Sequence, residues 1–422
     1  MAQTDSGLKM VEMVINGFEK RLEHRKAHPT VRSEELFYES MISYNKKVVR
    51  TKKEGKLLGW VGLMSPIEVL YAMDIVPFAP ELHSMLTASQ GGVKECFDAS
   101  AGYGLPIEMC SNHKLSAGMA INKLVPPPDF IISSQVCDSS LKTFEVLSHY
   151  YNVPTYYLDL PYPTSERGID YYADEIRGMI RFLEDVTGKR VDMARLQEVA
   201  TLSKKTMELC SDISELRKNI PSPMKSKASF RSFTVQAPLS GTQAAIEYFE
   251  TLKKELTENV ARGKWAVAEE RHRIAWLCSS PLYAMHIFDW MEQEYGAVVV
   301  MDMLLNYFPK SVLPTLDPSD PIEYLARKSS AMSATKAFGG PIEYAAETAR
   351  DIVNEYKADS AVFYAITGCK QGCSISRFLR DTLQKELGIP TLVIDGDSMD
   401  PSVLSPEEIM TKLEGYFEAL EG

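Results

Sequence analysis

The sequence predicts an α/β protein with two Rossmann-like parallel-sheet domains, and three observations lead there. From Pro126 onward, short apolar runs alternate with amphipathic ones across short links, the pattern of parallel βαβ units. The chain has 422 residues, too many for a single core, so two domains of ordinary size are expected. Each half also carries a stretch of the same grammar. "DFIISSQVCDSSLKTFEVLSHYYNVPTYYLDLPY" and "SAVFYAITGCKQGCSISRFLRDTLQKELGIPTLVIDGD" both read as strand, cysteine, helix, a Val-Pro or Ile-Pro pair, and a second strand ending in an acidic residue.

Taken in order, residues 1–55 read as a helical N-terminal region, charged and amphipathic over 5–52 with a break near His28 and Pro29. "LLGWVGLM" (57–64) suits a buried strand. "SPIEVLYAMD" then reads as a helix with Ser65 as its cap and Pro66 at its first position. "IVPFAPELH" reads as a strand and its loop, which leaves Glu81 and His83 on that loop. "DSSLKTFEVLSHYYN" has the three-and-four apolar spacing of a helix, and "VPTYYLDLPYP" is a strand ending in a Pro-rich loop. Residues 166–218 are helical and charged, completing a first α/β domain over 56–219.

"IPSPMKSKAS" (220–229) is the domain boundary, and a connector over 220–265 carries one long helix, roughly 241–262. The second α/β domain, 266–422, begins with the strand "HRIAWLCSS". It continues with a helix closed by Gly296, the strand "AVVVMDM", the helix "PIEYAAETARDIVNEYKA" and the strand "DSAVFYAITG". The helix "ISRFLRDTLQKELG" and the strand "PTLVIDGD" follow. The last helix opens on Ser405 with Glu408 three residues on, a capping box.

Composition narrows the function. A net charge of −11 argues against nucleic acid as the main partner, because phosphate backbones require a basic surface. A local basic pocket for a phosphate-bearing cofactor stays open. The N-terminus has the charges of an amphipathic helix rather than a signal peptide, and no apolar run reaches membrane-spanning length, so a cytoplasmic protein is expected.

Seven cysteines, an odd number, argue against a disulfide framework. Cys137 and Cys369 each stand seven residues beyond a strand residue, Phe130 and Val362. Both therefore fall at strand C-terminal ends, where open α/β sheets bind ligands. Cys110, in "PIEMCSNHKLSAGM", also precedes a helix, where the dipole stabilises a thiolate. No CxxC motif occurs, so the residues alone leave open a metal corner, a redox pair of Cys369 with Cys373, or buried packing cysteines.

Read as a whole from about Trp60 to the C-terminus, the chain resembles the large-subunit type of the 2-hydroxyacyl-CoA dehydratase and benzoyl-CoA reductase family. The resemblance rests on "WVGLMSPIEVLYAMDIVPFAPELH", "MCSNHKLSAGM", "DFIISSQVCDSSLKTFEVLSHYYNVPTYYLDLPYP", "FYAITGCK" and "IDGDSMDPSVLSPEEI". It implies two α/β domains with a 4Fe–4S cluster between them, held by Cys110, Cys137 and Cys369 and leaving one iron without a cysteine. It implies a 2-hydroxyacyl-CoA substrate whose thioester carbonyl becomes a ketyl radical anion, expels hydroxide and loses a β proton, giving an enoyl-CoA. The partners it implies are a smaller related iron–sulfur subunit, forming a heterodimer, and an ATP-dependent 4Fe–4S activator that docks transiently. Glu81 matches a Pro-Glu position of the family that handles a proton or orients the substrate; the plain alternative is a solvated loop carboxylate. Dehydratase subunits carry a serine at the position held here by Leu63, and Ser65 substitutes only if the loop shifts by two residues.

The "xGCK" pattern agrees with Cys369 as the metal corner and leaves Cys373, one helical turn on, beside the site. Cys278 matches a cysteine of double-cubane relatives, but their following cysteines are missing here, so it reads as a buried packing residue, as do Cys96 and Cys210. His113 and His83 are weak pocket candidates. Asp395, Asp397 and Asp400 read as a strand-end loop capping the last helix, and Lys114 and Lys370 as surface lysines that could meet cluster charge or CoA phosphates. Three rivals stand beside the dehydratase: an ATP-dependent aryl-CoA reductase, a non-catalytic 4Fe–4S electron carrier, and a metal-free α/β binding protein.

Overall fold

Two four-stranded parallel sheets organise the computed structural model, which describes residues 7–28, 31–91, 93–161 and 165–422. The first holds β1 (Leu58–Val61), β2 (Val76–Phe78), β3 (Phe130–Ser134) and β4 (Thr155–Leu158) in the order β2-β1-β3-β4. The second holds β5 (His272–Cys278), β6 (Ala297–Asp302), β7 (Ser360–Ile366) and β8 (Thr391–Gly396) in the order β6-β5-β7-β8. The two orders are equivalent, so the internal echo extends to all four strands of each half. In both sheets the order reverses between the first and third strands, the switch point at which α/β sheets open a ligand crevice.

The helices begin with α1 (Lys9–Ala27) and α2 (Arg32–Lys53). Around the first sheet lie α3 (Glu68–Ala72), α4 (Pro80–Ala88), α5 (Lys94–Gly102), α6 (Ser111–Ile121) and α7 (Asp138–Tyr151). Then come α8 (Glu166–Thr187), α9 (Met193–Arg217), α10 (Ser226–Leu239) and α11 (Gln243–Ala261). The second half adds α12 (His286–Tyr295), α13 (Pro321–Ala331), α14 (Ser333–Gly339), α15 (Ile342–Tyr356), α16 (Lys370–Leu387) and α17 (Pro406–Glu421). The capping box at Ser405 and Glu408 is present, and Gly296 closes α12 in the left-handed region at φ 56°.

Packing follows the period of two along the strands. On β5, Ile274 and Trp276 face α12 and α17 through Ile287, Phe288, Leu413 and Phe417. Ala275 and Leu277 face the opposite layer with Ile352, Leu379 and Leu383 of α15 and α16. The N-terminal helices are not a separate lobe. Val14, Phe18, Met41 and Val48 share one core with Trp60 and Phe78 of the first sheet and with Tyr248 and Phe249 of α11.

Three local expectations need correction. The connector is two helices, not one: α10 begins at Ser226, inside the stretch read as the Pro/Ser/Lys break, and Gly241 at φ 88° turns the chain into α11. The helix expected at Pro66 starts at Glu68 behind Ile67, and the Ser65 hydroxyl bonds to Ser134 Oγ at 3.0 Å instead of capping it. Glu81 is not on a loop. It sits in the first turn of α4, whose Pro80 tolerates the first position because its missing N–H would be unpaired there anyway. The N-terminal region is two helices, α1 ending at Ala27 with His28 as its C-cap and α2 starting at Arg32, in line with the break expected near His28; Pro29 itself lies outside the described residues, as do Tyr162 and Pro163 of the Pro-rich loop.

One buried ion pair crosses the halves. Lys328 on α13 bonds to Glu68 Oε1 on α3, and Ser203 Oγ on α9 donates to the same oxygen at 2.6 Å. Both charges are almost wholly enclosed, so removing one leaves the other stranded in a medium that solvates it poorly. Lys328→Met is expected to cost about 3–5 kcal/mol in denaturant unfolding. The double change Glu68→Leu with Lys328→Met is expected to recover most of that loss; an unaltered midpoint for the single variant would refute the pairing.

Candidate functional site

All three predicted ligand cysteines are N-caps of helices. Cys110 precedes α6, Cys137 precedes α7 and Cys369 precedes α16. The Cys137 sulfur accepts from Ser140 N at 3.4 Å and the Cys369 sulfur from Gly372 N at 3.3 Å. A helix start offers unpaired N–H groups and the positive end of the dipole, a contribution that favours the thiolate and that burial opposes.

Glycines bring the two halves close enough for the thiols to share one space. A Cβ on Gly368 would lie 2.5 Å from Met109 O and 2.9 Å from Cys110 Cα, so the strand-end turn before Cys369 rests directly on the loop that carries Cys110. A Cβ on Gly372 would lie 2.8 Å from the Cys278 sulfur and 3.2 Å from the Cys369 sulfur. The result is a cavity of about 150 Å³ lined by Cys110, Cys137, Cys369 and Cys278, with apolar walls from Met85, Phe233, Leu304 and Phe338. Among the described residues no three Cys, His, Asp or Glu side chains converge as they would on a single ion. The thiols stand around a void instead.

Glu81 is the polar hub of this wall. Buried at 3 % exposure, its carboxylate accepts from Leu63 N at 2.5 Å, His113 Nε2 at 2.9 Å and Ser140 Oγ at 2.9 Å. It thereby ties the β1–α3 loop, α6 and α7 together, and it is not a solvated carboxylate. His113 also meets Ser139 Oγ at 2.9 Å through Nδ1. Burial pulls the His113 imidazole down, but the Cys110 sulfur and the Glu81 carboxylate outweigh it and hold its pKa well above the ordinary value. Burial pushes Cys110 up, yet the His113 charge and hydrogen bond, with two helix-start N–H groups, bring it below the usual thiol value. Cys137 and Cys369 go the other way. Burial raises both, and Cys369 is raised further by Cys278 and Cys110 beside it. Such crowding disfavours several thiolates at once unless a positive group sits between them.

The remaining candidates fall in place around this core. Ser65 does not line the thiol cavity. It lines a smaller adjoining void of about 50 Å³, reached past Leu63, Met64 and Phe233. Cys373 turns back to Ile366 O at 2.9 Å and is absent from the cavity wall. Cys278 is buried as expected but also presents a fourth thiol, from a backbone at φ 65° that side chains rarely adopt. The aspartates do not cap the last helix, which Ser405 caps; Asp397 instead closes a turn, accepting from Met399 N and Asp400 N at 2.8 and 2.9 Å. Lys114 donates to Ile107 O at 2.6 Å, and His83 is enclosed between Ala79 O and Asn45. The sequence reading missed Ser140, the pairing of His113 with Glu81, and Phe233, which the connector delivers to the site. The three-residue step from Cys110 to His113 was the available signal, since it returns both to one side of a helix start.

Comparison with known proteins bears directly on these residues. Residues 63–420 match the family model described as 2-hydroxyglutaryl-CoA dehydratase, D-component. The chain belongs to this family. Within the family it is 25% identical over 385 residues to the (R)-phenyllactyl-CoA dehydratase alpha subunit of Clostridium sporogenes, covering 88% of this chain and 91% of that one. It is 23% identical to the alpha subunit of lactoyl-CoA dehydratase from Anaerotignum propionicum (88% and 92% covered). It is 26% identical to a subunit of the benzoyl-CoA reductase of Thauera aromatica (84% and 86% covered). All the elements that build the thiol cavity lie within the family's matched span.

Two expected outcomes follow from the geometry. In Glu81→Gln an amide NH₂ must face one of the three donors, so a loss of about 1–3 kcal/mol in unfolding free energy is expected, the cost of an unsatisfied buried group; a neutral result would show that Glu81 is not the hub. Gly368→Ala drives a methyl into Met109 O, so the two halves must separate locally. Faster alkylation of Cys110 and Cys369 by a thiol reagent is the measurement, and an unchanged rate would contradict the close contact.

Proposed function

We propose that this chain is the iron–sulfur subunit of a 2-hydroxyacyl-CoA dehydratase, with a 4Fe–4S cluster held by Cys110, Cys137 and Cys369. The observation that carries the reading is that three helix-start thiols from two sheets line one void without closing on a point. That arrangement suits a polynuclear cluster better than one metal ion. The absent Cβ at Gly372 keeps space beside the Cys278 and Cys369 sulfurs, and the burial that raises Cys137 and Cys369, with the neighbouring sulfurs adding to it, is the kind of penalty a positive metal group relieves. When bound, such a cluster supplies one-electron chemistry at low potential and an iron free to meet a thioester oxygen.

The chain's own residues do the rest. Met85, Phe233, Leu304 and Phe338 exclude water from the void. His113 holds a proton within hydrogen-bond reach of Glu81 and beside Cys110. Ser140 and Leu63 N fix the carboxylate so that it cannot swing away. The net reaction in this reading is loss of water from a (R)-2-hydroxyacyl-CoA: hydroxide leaves C2, a proton leaves C3, and the electron that opens the ketyl-radical route is returned. A smaller related subunit and an ATP-dependent 4Fe–4S activator complete the system, in keeping with the dehydratase relatives' names as alpha subunits. Among the described residues no helix is long and apolar enough to cross a membrane, and we place the protein in the cytoplasm.

Leu63 favours a second reading, an ATP-dependent aryl-CoA reductase. Its side chain borders both the thiol cavity and the adjoining void, an apolar group where a hydroxyl-handling serine is expected for a dehydratase.

Anaerobic purification followed by iron and sulfide analysis tests the cluster. About four of each per chain are expected, with most of the iron lost in Cys137→Ala while far-ultraviolet circular dichroism is retained. Wild-type protein without iron would sink the proposal. Product analysis separates the two readings: a dehydratase yields enoyl-CoA with catalytic ATP, and a reductase consumes ATP at every turnover.

A further inference from the structure

The thiol cavity is the middle of three adjoining voids that share walls. On one side it shares Leu63, Met64 and Phe233 with the smaller void of about 50 Å³ that Ser65 lines. On the other it shares Met85, Phe233 and Leu305 with an open trough of about 400 Å³. Phe233 borders all three. The trough is built by α1, α2, α4 and α10, so the N-terminal helices form one of its walls.

Its charge is opposite to that of the molecule. Arg21, His24, Arg25, Lys227 and Arg231 line it, and among the described residues no acidic side chain does, although the whole chain carries a net charge of −11. Part of this charge is countered from behind. Glu34, outside the lining, accepts from Arg25 at 3.2 Å and from Arg231, so one carboxylate is shared by two guanidiniums. Asp289 contacts Lys227. Arg21 is exposed and forms no ion pair among the described residues. A surplus of cations concentrated in one trough of an acidic protein is the footprint of a polyanionic ligand. Phe230 adds an aromatic wall of the kind on which a base can lie.

We infer that this trough is the seat of the 3′-phospho-ADP nucleotide of coenzyme A, with the pantetheine arm passing Phe233 to the thiols and the acyl group entering the smaller void. The inference rests on the acyl-CoA reading above and adds where the nucleotide binds. The order of the voids matches the order of the ligand: a wide basic mouth for phosphates, a thiol-lined middle for the thioester, and a small end for the acyl chain, walled by Val61, Ile67 and Met332 with Ser65, Gln236 and Lys328 among its polar groups. It also assigns the phosphate-binding role to Arg21, Lys227 and their neighbours instead of Lys114 and Lys370, neither of which lines the trough.

Equilibrium binding of coenzyme A, 3′-dephospho-coenzyme A and pantetheine to the anaerobically isolated full chain tests this. Coenzyme A is expected to bind more tightly than pantetheine, and more weakly as salt is raised. Arg21→Glu and Lys227→Ala are each expected to weaken coenzyme A by about tenfold or more, the scale of one lost charge-assisted contact, and to leave pantetheine unchanged. The exposed Lys412→Glu on α17 serves as the control and is expected to change neither. Equal affinity for coenzyme A and pantetheine, or coenzyme A affinity unchanged in both trough variants, overturns the assignment. Each assay reads binding whether or not iron is present, so a chain without iron, which would sink the cluster proposal, leaves this result standing on its own.

Discussion

Two parallel sheets from separate parts of a chain can show thiols to one another only if the loops at their carboxyl edges touch. Here that contact is backbone on backbone: Gly368 against Met109 and Cys110, with no room for a Cβ. The constraint sets the rest of the site. It fixes the spacing between the helix starts at Cys110 and Cys369, and Gly372 then leaves the Cys278 and Cys369 sulfurs exposed to the same void. The equivalent strand orders of the two sheets make this possible, since each offers its switch-point loops on the same edge.

Rigidity on the first-sheet side comes from one buried carboxylate. Glu81 satisfies three donors from three different elements, so α6 and α7, the helices behind Cys110 and Cys137, cannot move independently. A buried acceptor with its partners fully supplied is a strong positional restraint, because every displacement strands a donor. His113 links this restraint to the thiols, bonding to Glu81 on one side and facing Cys110 on the other. Charge and position are therefore coupled: after the Cys110 sulfur, the Glu81 carboxylate that anchors the loop is the group that raises the His113 pKa.

The legible parts of the site were those with local physical signatures. Cys137 and Cys369 could be found because a cysteine at a strand end before a helix has a fixed spacing, and the same spacing appears twice. The capping box at Ser405 and the closing Gly296 were legible for the same reason, each being decided within a few residues. Glu81 was placed on a loop because a proline ahead of it reads as a break, whereas at the first helical position it is accepted. Phe233 and the basic trough gave no sequence signal. Their members come from α1, α2, α4 and α10, segments far apart along the chain whose periodicities report only which face is buried.

By itself the sequence determined the α/β class, the doubled βαβ grammar and the cysteines at strand ends, because hydrophobic period, turn chemistry and helix-start spacing are local properties of the chain. Only the tertiary structure decided that Cys278 joins the same wall, that Ser65 belongs to a neighbouring void, and that Cys373 turns away. The physical reason is that burial and direction depend on what packs across the cleft. A cysteine's spacing says which turn it occupies, and only the opposing helix and the missing Cβ of a glycine say where its sulfur points.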